Sequence, residues 1–269
     1  MIKLAFSPCP NDTFIFYALV HGKVDTEGFS FDYRMDDVET LNKQALKGET
    51  DMTKISFHAY LYIAKQYALL DCGSALGFGN GPLLIASREF SLTEVNSLIV
   101  AVPGEYTTAH LLFRLAFPGS GIKKFILFSG IEEAILSGQA DAGIIIHENR
   151  FTYERKGLIK IMDLGEYWEK LTQSPVPLGG IVVRKSLGNE RVNKLNRILF
   201  RSIRYAFDHP EETMGFVREN AREMEDDVIL KHIGLYVNDF SLSLGTTGRN
   251  AIAKLFEIAR EKGINNNNK

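Results

Sequence analysis

The stretch Ala140-Asp-Ala-Gly-Ile-Ile-Ile-His-Glu148 is a short apolar run that ends on a histidine. Its apolar part, residues 142–146, contains no polar residue, and Gly138 closes the helix-like segment before it, so the pattern predicts a buried strand of a parallel sheet. His147 then lies at the carboxyl end of the strand, where open α/β sheets bind ligands. Its ordinary pKa of about 6.5 would let it act as a general base. A histidine that only forms structural hydrogen bonds is the alternative.

Length and composition restrict the class of protein. The 269 residues are 45% hydrophobic and 24% charged, which is typical of a globular chain that buries a sizeable core. The net charge of −2, with both signs interspersed, argues against a nucleic-acid partner, which requires clustered Lys and Arg. No apolar run is long enough for membrane insertion, and the N-terminus lacks the regions of a signal peptide. A cytoplasmic location is therefore expected.

The cysteines and histidines are not arranged as metal ligands. Cys9 and Cys72 form no Cys-x-x-Cys motif and are expected to be free thiols in a reducing compartment. The six histidines are scattered, and no carboxylate pair lies at ligand spacing with them, so no metal site is predicted. The glycine-rich residues 73–81 lack the Lys-Ser/Thr ending of a phosphate-binding loop and the Gly-x-Gly-x-x-Gly spacing, which argues against a nucleotide.

A short internal repeat suggests two similar units. Leu46-x-Gly48-x-x-Asp51 recurs as Leu136-x-Gly138-x-x-Asp141, and each copy lies between a helix-like segment and a short strand. We interpret the copies as two α/β lobes, each of which directs the end of one strand toward a shared cleft. In the first copy Lys54 and Ser56 fall on one side of the strand, because side chains alternate with a period of two.

Two turns are candidate sites for an anion or a carbonyl group. The loop at residues 7–13 leads into a helix predicted over residues 13–20, with Asn11 or Asp12 as its cap, and we include Asn11 among the substrate-binding candidates. Free amides and the positive end of the helix dipole favour anions at such positions. Ordinary turn residues are the alternative.

The second turn, residues 103–108, leads into a helix predicted over residues 109–117. Thr107 or Thr108 is expected to cap this helix, and the same amide and dipole argument makes the turn an anion site. A cap that serves only the helix is the alternative.

The remaining elements follow from apolar periodicity and from glycine and proline. Strands are predicted near residues 2–6, 29–34, 51–56, 82–86, 98–102, 124–128 and 178–184, and helices near residues 38–46, 57–67, 131–136, 192–207, 210–221, 226–236 and 248–262. The Asn-rich tail after Ile264 is expected to be disordered.

The strands near 82–86 and 178–184 are expected to run as neighbours where the chain crosses between the lobes. This arrangement makes the larger α/β lobe from residues 1–95 and 180–269 and the smaller one from residues 96–179, with a hinge between them.

Several motifs resemble those of one enzyme family. They are Ser7–Leu19, Asp37–Asn42, Thr53–Ser56, Val102–Gly104, Thr107-Thr108 and Ile145–Tyr153, and the similarity extends over about residues 2–262. They look like 1,4-dihydroxy-6-naphthoate synthases of the futalosine route to menaquinone. The resemblance implies a two-lobed α/β fold of the periplasmic-binding-protein-like kind (type 2), with two crossover strands and a ligand cleft between the lobes.

The resemblance also implies an activity and the residues that carry it. Members of the family split cyclic dehypoxanthine futalosine into 1,4-dihydroxy-6-naphthoate and dihydroxyacetone without a cofactor. The proton acceptor of the family corresponds to His147, and its substrate contacts correspond to Lys54-Ile55-Ser56 and Thr107-Thr108. A small-molecule substrate with a carboxylate would suit Lys54 and the amides of the two threonines. The role of His58, which follows the second motif, is left open.

Two other functions remain possible at this point. One is a sibling enzyme of the same fold, such as a chorismate dehydratase, which is not expected to carry the Ile-His-Glu-Asn-Arg-Phe stretch at residues 146–151. The other is a cytosolic solute-binding module without catalysis, although a receptor of this fold is expected to carry a secretion or lipoprotein signal. The sequence does not determine the oligomeric state.

Overall fold

Two mixed β-sheets form the framework of the protein. The computed structural model describes residues 1–221 and 225–264, so the tail after Ile264 falls outside the described residues. The strands are β1 Ile2–Phe6, β2 Phe31–Met35, β3 Met52–Ser56, β4 Tyr67–Leu69, β5 Ala75–Gly77, β6 Leu83–Ala86, β7 Val100–Val102, β8 Lys123–Phe125, β9 Ala142–Ile145, β10 Ile159–Asp163 and β11 Val176–Arg184.

Helices cover both sheets. They are α1 Pro10–Val20, α2 Val38–Leu46, α3 Phe57–Ile63, α4 Thr108–Ala116, α5 Ile131–Leu136, α6 Leu164–Thr172, α7 Asn189–Asp208, α8 Pro210–Asn220, α9 Asp226–Tyr236, α10 Asp239–Leu242 and α11 Gly245–Glu261. Within the described part of the chain, none of these helices is long and apolar enough to cross a membrane.

The first sheet has the order β2-β1-β3-β11-β4, and β5 pairs with β11 beside it. β1 is parallel to β2 and β3, whereas β11 runs antiparallel to β3. Every residue of β3 is buried, since α1 and α7 pack on one face of the sheet and α2 and α3 on the other. The carboxyl end of β3 therefore presents Lys54, Ile55 and Ser56 at the edge of a fixed core.

The second sheet has the order β10-β6-β9-β7-β8. β9 is parallel to β7 but antiparallel to β6, so the strand before His147 lies in a mixed sheet and the prediction of a parallel one was wrong. The residues of β9 are all buried, as their uninterrupted apolar run predicted. Periodicity reports burial on both faces of a strand but says nothing about the direction of its neighbours.

The prediction that the two crossover strands run as neighbours was also wrong. β6 pairs with β9 and β10 in the second sheet, whereas β11 pairs with β3, β4 and β5 in the first, so the two strands are not neighbours. The chain thus enters the second sheet already through the connection at residues 78–82, and both β6 and β9 are fully buried there. The lobe boundaries at residues 95 and 180 stay a prediction.

The starts of α1, α7 and α11 and the end of α3 each differ by three or four residues from those predicted. α1 begins at Pro10 rather than near Thr13, with Cys9 at the cap position and no side-chain cap, because proline is favoured in a first helical turn, where no partner for its amide is needed. Asn11 and Asp12 therefore lie inside that turn and do not cap it. α3 ends at Ile63, and residues 67–69 pair with β11 as β4 instead of continuing the helix. Cys9 and Cys72 are buried free thiols, as predicted.

Candidate active site

A cleft between the two sheets brings together all the predicted site residues. The space between its walls, open solvent included, is about 640 Å³. Its lining includes Asn11 from α1, Lys54, Ile55 and Ser56 from β3, Thr107 and Thr108 at the start of α4, and His147 after β9. A concave site with mostly apolar walls and a few convergent polar groups is typical of small-molecule binding.

Lys54 is held by an ion pair with Asp12, which was not among the predicted site residues. Its Nζ donates to Oδ1 of Asp12 at 2.6 Å, and the two side chains are 8% and 1% exposed. Oδ2 of Asp12 accepts from the backbone N–H of Ser7 at 3.1 Å and from its hydroxyl at 2.7 Å. Asp12 thus fixes Lys54 in the cleft and offsets part of its charge. The signal was present, since Asp12 lies in the same motif as Asn11.

Asn11 connects this ion pair to a second histidine. Its Nδ2 donates to Oδ1 of Asp12 at 2.8 Å, and its Oδ1 lies 2.9 Å from Nε2 of His232. Because an amide oxygen only accepts, His232 carries its proton on Nε2. Burial lowers the pKa of His232 well below its ordinary value, so the ring is uncharged. No sequence motif indicated His232, which is 221 residues from Asn11.

His147 lies between His232 and Phe128. Its ring stacks on that of His232 with 6.0 Å between centroids and 17° between planes, and it meets Phe128 edge-on at 5.1 Å. The residue begins a short 3-10 helix, His147–Phe151, with a φ of 58°, a left-handed value that is uncommon outside glycine. The chain therefore leaves the extended conformation of β9 at this position.

The environment of His147 keeps its imidazole uncharged. Its Nε2 is buried and has no hydrogen-bond partner in the described part of the chain. Burial lowers the pKa of His147 to about 4, with the negative charge of Asp12 opposing the shift and the positive charge of Lys54 adding to it. At neutral pH the ring is therefore in the form that accepts a proton.

The turn before α4 is closed by hydroxyl hydrogen bonds. Of the two candidate caps, Thr107 is the cap: its Oγ1 accepts from the backbone N–H of His110 at 3.2 Å and donates to the carbonyl of Gly104 at 2.9 Å. The hydroxyl of Thr108 instead donates to the carbonyl of Leu178 in β11 at 2.6 Å. Thr108 therefore ties the turn to the first sheet.

His58 supports the same turn. Its Nδ1 lies 3.1 Å from the carbonyl of Thr107 and therefore donates to it, and its backbone N–H donates to Oγ1 of Thr108 at 3.3 Å. Burial lowers the pKa of His58 to about 3. His58 is thus an uncharged donor from α3 rather than a residue of the cleft wall, which settles the contacts that the sequence left open.

Ser56 is oriented by an amide on α2. The backbone N–H of Ser56 donates to Oδ1 of Asn42 at 2.9 Å, and Nδ2 of Asn42 donates to the Ser56 hydroxyl at 3.1 Å. Across the strand pair, a Cβ at Gly179 would lie 2.5 Å from the carbonyl oxygen of Ile55, so glycine permits the close approach of β11. Asn42 and Gly179 together hold the end of β3 against the cleft.

The described residues, 1–221 and 225–264, contain no group of three His, Cys, Asp or Glu side chains that could hold a metal ion. The groups that the cleft offers include a neutral imidazole, an ammonium group paired with a carboxylate, hydroxyl groups, and the start of α4.

Known proteins resemble this chain in sequence and in structure. The model of a protein family described as menaquinone biosynthesis matches residues 2–261. A 1,4-dihydroxy-6-naphthoate synthase of Thermus thermophilus is 44% identical, over 98% of this chain and 95% of the relative. A protein of Archaeoglobus fulgidus with a known crystal structure is 35% identical and superimposes with a TM-score of 0.93, over 98% of both chains.

The fold class is confirmed by a more distant likeness. The periplasmic aliphatic sulphonate binding protein of Escherichia coli superimposes with a TM-score of 0.65 at 9% identity, over 98% of this chain and 87% of that protein. The chain thus has the α/β, two-sheet fold of periplasmic binding proteins. Because the menaquinone biosynthesis family and the Thermus thermophilus enzyme both match nearly its whole length, the chain belongs to the 1,4-dihydroxy-6-naphthoate synthase family of menaquinone biosynthesis enzymes.

Proposed function

We propose that the protein converts cyclic dehypoxanthine futalosine into 1,4-dihydroxy-6-naphthoate and dihydroxyacetone, with His147 as the general base. The observation that supports this best is the position of an uncharged imidazole in the same cleft as the Lys54 ammonium. The relative from Thermus thermophilus bears the name of this activity and matches nearly the whole chain. That likeness favours this activity over a chorismate dehydratase or a solute-binding module.

The arrangement suggests a division of roles. His147 removes a proton from a carbon of the substrate ring, and formation of the aromatic naphthoate then drives cleavage of the bond to the departing three-carbon fragment. The substrate carboxylate binds to the Lys54 ammonium and to the start of α4, where Thr107 and Thr108 line the cleft and the helix dipole favours an anion. Asn11 acts indirectly, by fixing Asp12 and His232.

The activity can be tested directly. Incubation of the protein with the cyclic futalosine derivative should yield 1,4-dihydroxy-6-naphthoate and dihydroxyacetone in equal amounts, which chromatography with mass detection would measure. Chorismate supplied in place of that substrate should be recovered unchanged. If naphthoate is not formed, or chorismate is dehydrated instead, the proposed function is wrong.

The base is tested by His147→Asn. Asparagine keeps a polar side chain of similar size but cannot accept the proton, so kcat should fall by roughly 10²–10⁴-fold, the usual contribution of a general base. Substrate should still bind, as isothermal titration would show. The exposed His209, which lies far along the chain in the connection between α7 and α8, provides the matched control, and His209→Asn should retain wild-type kcat. A folded His147→Asn variant with wild-type turnover would rule out the assignment.

A further inference from the structure

A buried carboxylate joins the two sheets beside the cleft. Glu39, on α2, is only 7% exposed. Its Oε1 accepts from the backbone N–H of Glu105 at 3.0 Å, and its Oε2 accepts from that of Tyr106 at 3.1 Å. These amides belong to the turn between β7 and α4, whereas α2 packs on β3 of the other sheet. Glu39 thus spans the junction of the sheets.

The turn is shaped to receive this carboxylate. A Cβ at Gly104 would lie 2.5 Å from both Cδ and Oε2 of Glu39, so no larger residue fits there without displacing the side chain. The carbonyl of Glu105 accepts from Nδ1 of His110 at 2.8 Å, which holds the turn from the helix side. Two charge-assisted hydrogen bonds to one carboxylate fix the orientation of the turn as well as its position.

The same helix also orients the opposite wall of the cleft. Nδ2 of Asn42, one helical turn after Glu39, donates to the Ser56 hydroxyl at 3.1 Å and lies 3.4 Å from Oε2 of Glu39. Residues three apart on a helix share a face, so a single face of α2 contacts both walls. The contacts of α2, together with the hydrogen bonds of Thr107 and Thr108 to His58 and Leu178, therefore set the separation of Ser56 from the Thr107-Thr108 pair.

We propose that Glu39 is a positioning residue, whose carboxylate fixes the turn that carries Thr107 and Thr108 at the distance from Ser56 that the substrate requires. The inference rests on the proposed function, because it assigns these residues to one substrate. Glu39 itself does not line the cleft, so its effect on catalysis passes through the turn. Loss of the contact should weaken substrate binding more than the chemical step, since His147 is held by other elements.

Steady-state kinetics with the cyclic futalosine derivative test this proposal. In Glu39→Gln, the side-chain NH₂ replaces one carboxylate oxygen and faces a backbone N–H of the turn, so one hydrogen bond is lost. KM should therefore rise about tenfold or more, while kcat changes by less than about threefold. Gly104→Ala leaves the carboxylate intact but pushes it away from the turn, and should raise KM in the same way. The double variant should be no worse than the poorer single variant, because both changes remove one contact.

The matched control is Lys43→Gln. Lys43 lies on the same helix with its Nζ 3.6 Å from Oε1 of Glu39, but its side chain is 56% exposed and does not bond the turn. Its removal should leave KM unchanged. Unchanged KM in folded Glu39→Gln and Gly104→Ala, loss of kcat alone, or additive effects in the double variant would each overturn the inference. Absence of turnover in the wild-type protein would instead refute the proposed function, and the inference with it.

Discussion

His147 is expected to stay uncharged over the pH range in which most histidines titrate. Burial lowers its pKa to about 4, and only the neutral ring can accept a proton. The value of kcat/KM should therefore rise with pH as the pH passes through about 4 and stay level from about pH 6 to 8, where an ordinary histidine would still titrate. A pH–rate profile measures this. An inflection near the ordinary value would mean that the ring is solvated in the free enzyme.

Lys54 is expected to matter for stability as well as for binding. Lys54→Met removes the cation from a buried ion pair and leaves the Asp12 carboxylate without its positively charged partner. The free energy of unfolding should therefore fall by about 3–5 kcal/mol. Asp12→Asn added to Lys54→Met should recover part of that loss, because no buried charge is left unpaired. Urea denaturation measures both. Equal losses in the single and double variants would show that charge is not the cause.

At the scale of elements, the contact of β9 with α5 depends on a glycine. A Cβ at Gly143 would lie 2.4 Å from Cγ2 of Ile131 and 3.0 Å from Cδ1 of Ile135. Gly143→Ala should therefore lower the free energy of unfolding by about 1–3 kcal/mol, the usual cost of overpacking. It should also lower kcat, because β9 carries His147.

The control for this substitution is Gly215 in α8, where a Cβ would meet nothing within 4 Å. Gly215→Ala should stabilise the protein by up to about 1 kcal/mol, since alanine is the better helix former. Chemical denaturation of both variants compares them directly. A neutral Gly143→Ala would mean that α5 can move away from the sheet.

At the scale of the whole molecule, buried histidines should make the protein sensitive to acid. Burial lowers the pKa of His58 to about 3 and those of His110 and His147 to about 4. In the unfolded chain each titrates near its ordinary value, so between about pH 6.5 and pH 4 the unfolded state binds more protons. The free energy of unfolding should therefore be unaffected by these groups above about pH 6.5 and fall as the pH drops below it.

Urea denaturation at a series of pH values measures this slope. His58→Gln should make the slope shallower, because one of the proton-binding differences is removed. His209→Gln, at an exposed position, should keep the wild-type slope. If the slope is the same in His58→Gln as in the wild type, folding does not lower the pKa of His58.

The sequence by itself determined the local elements and much of the site. The bounds of α2, α5 and α9 follow from apolar spacing within each segment, because the helical period is repeated over a single short stretch. His147 at the end of β9 was likewise readable from one apolar run. The family motifs predicted Lys54-Ile55-Ser56 and Thr107-Thr108, which the structure places in one cleft.

Only the tertiary structure decided which segments meet. β6 and β11 are both apolar runs, and nothing within either run specifies its partner, so their assignment to different sheets depends on long-range packing. The same holds for Asp12, whose carboxylate reaches a lysine 42 residues away, and for His232, which stacks on His147 from α9. A buried charge or imidazole is defined by what surrounds it, and those surroundings come from parts of the chain that are distant in sequence.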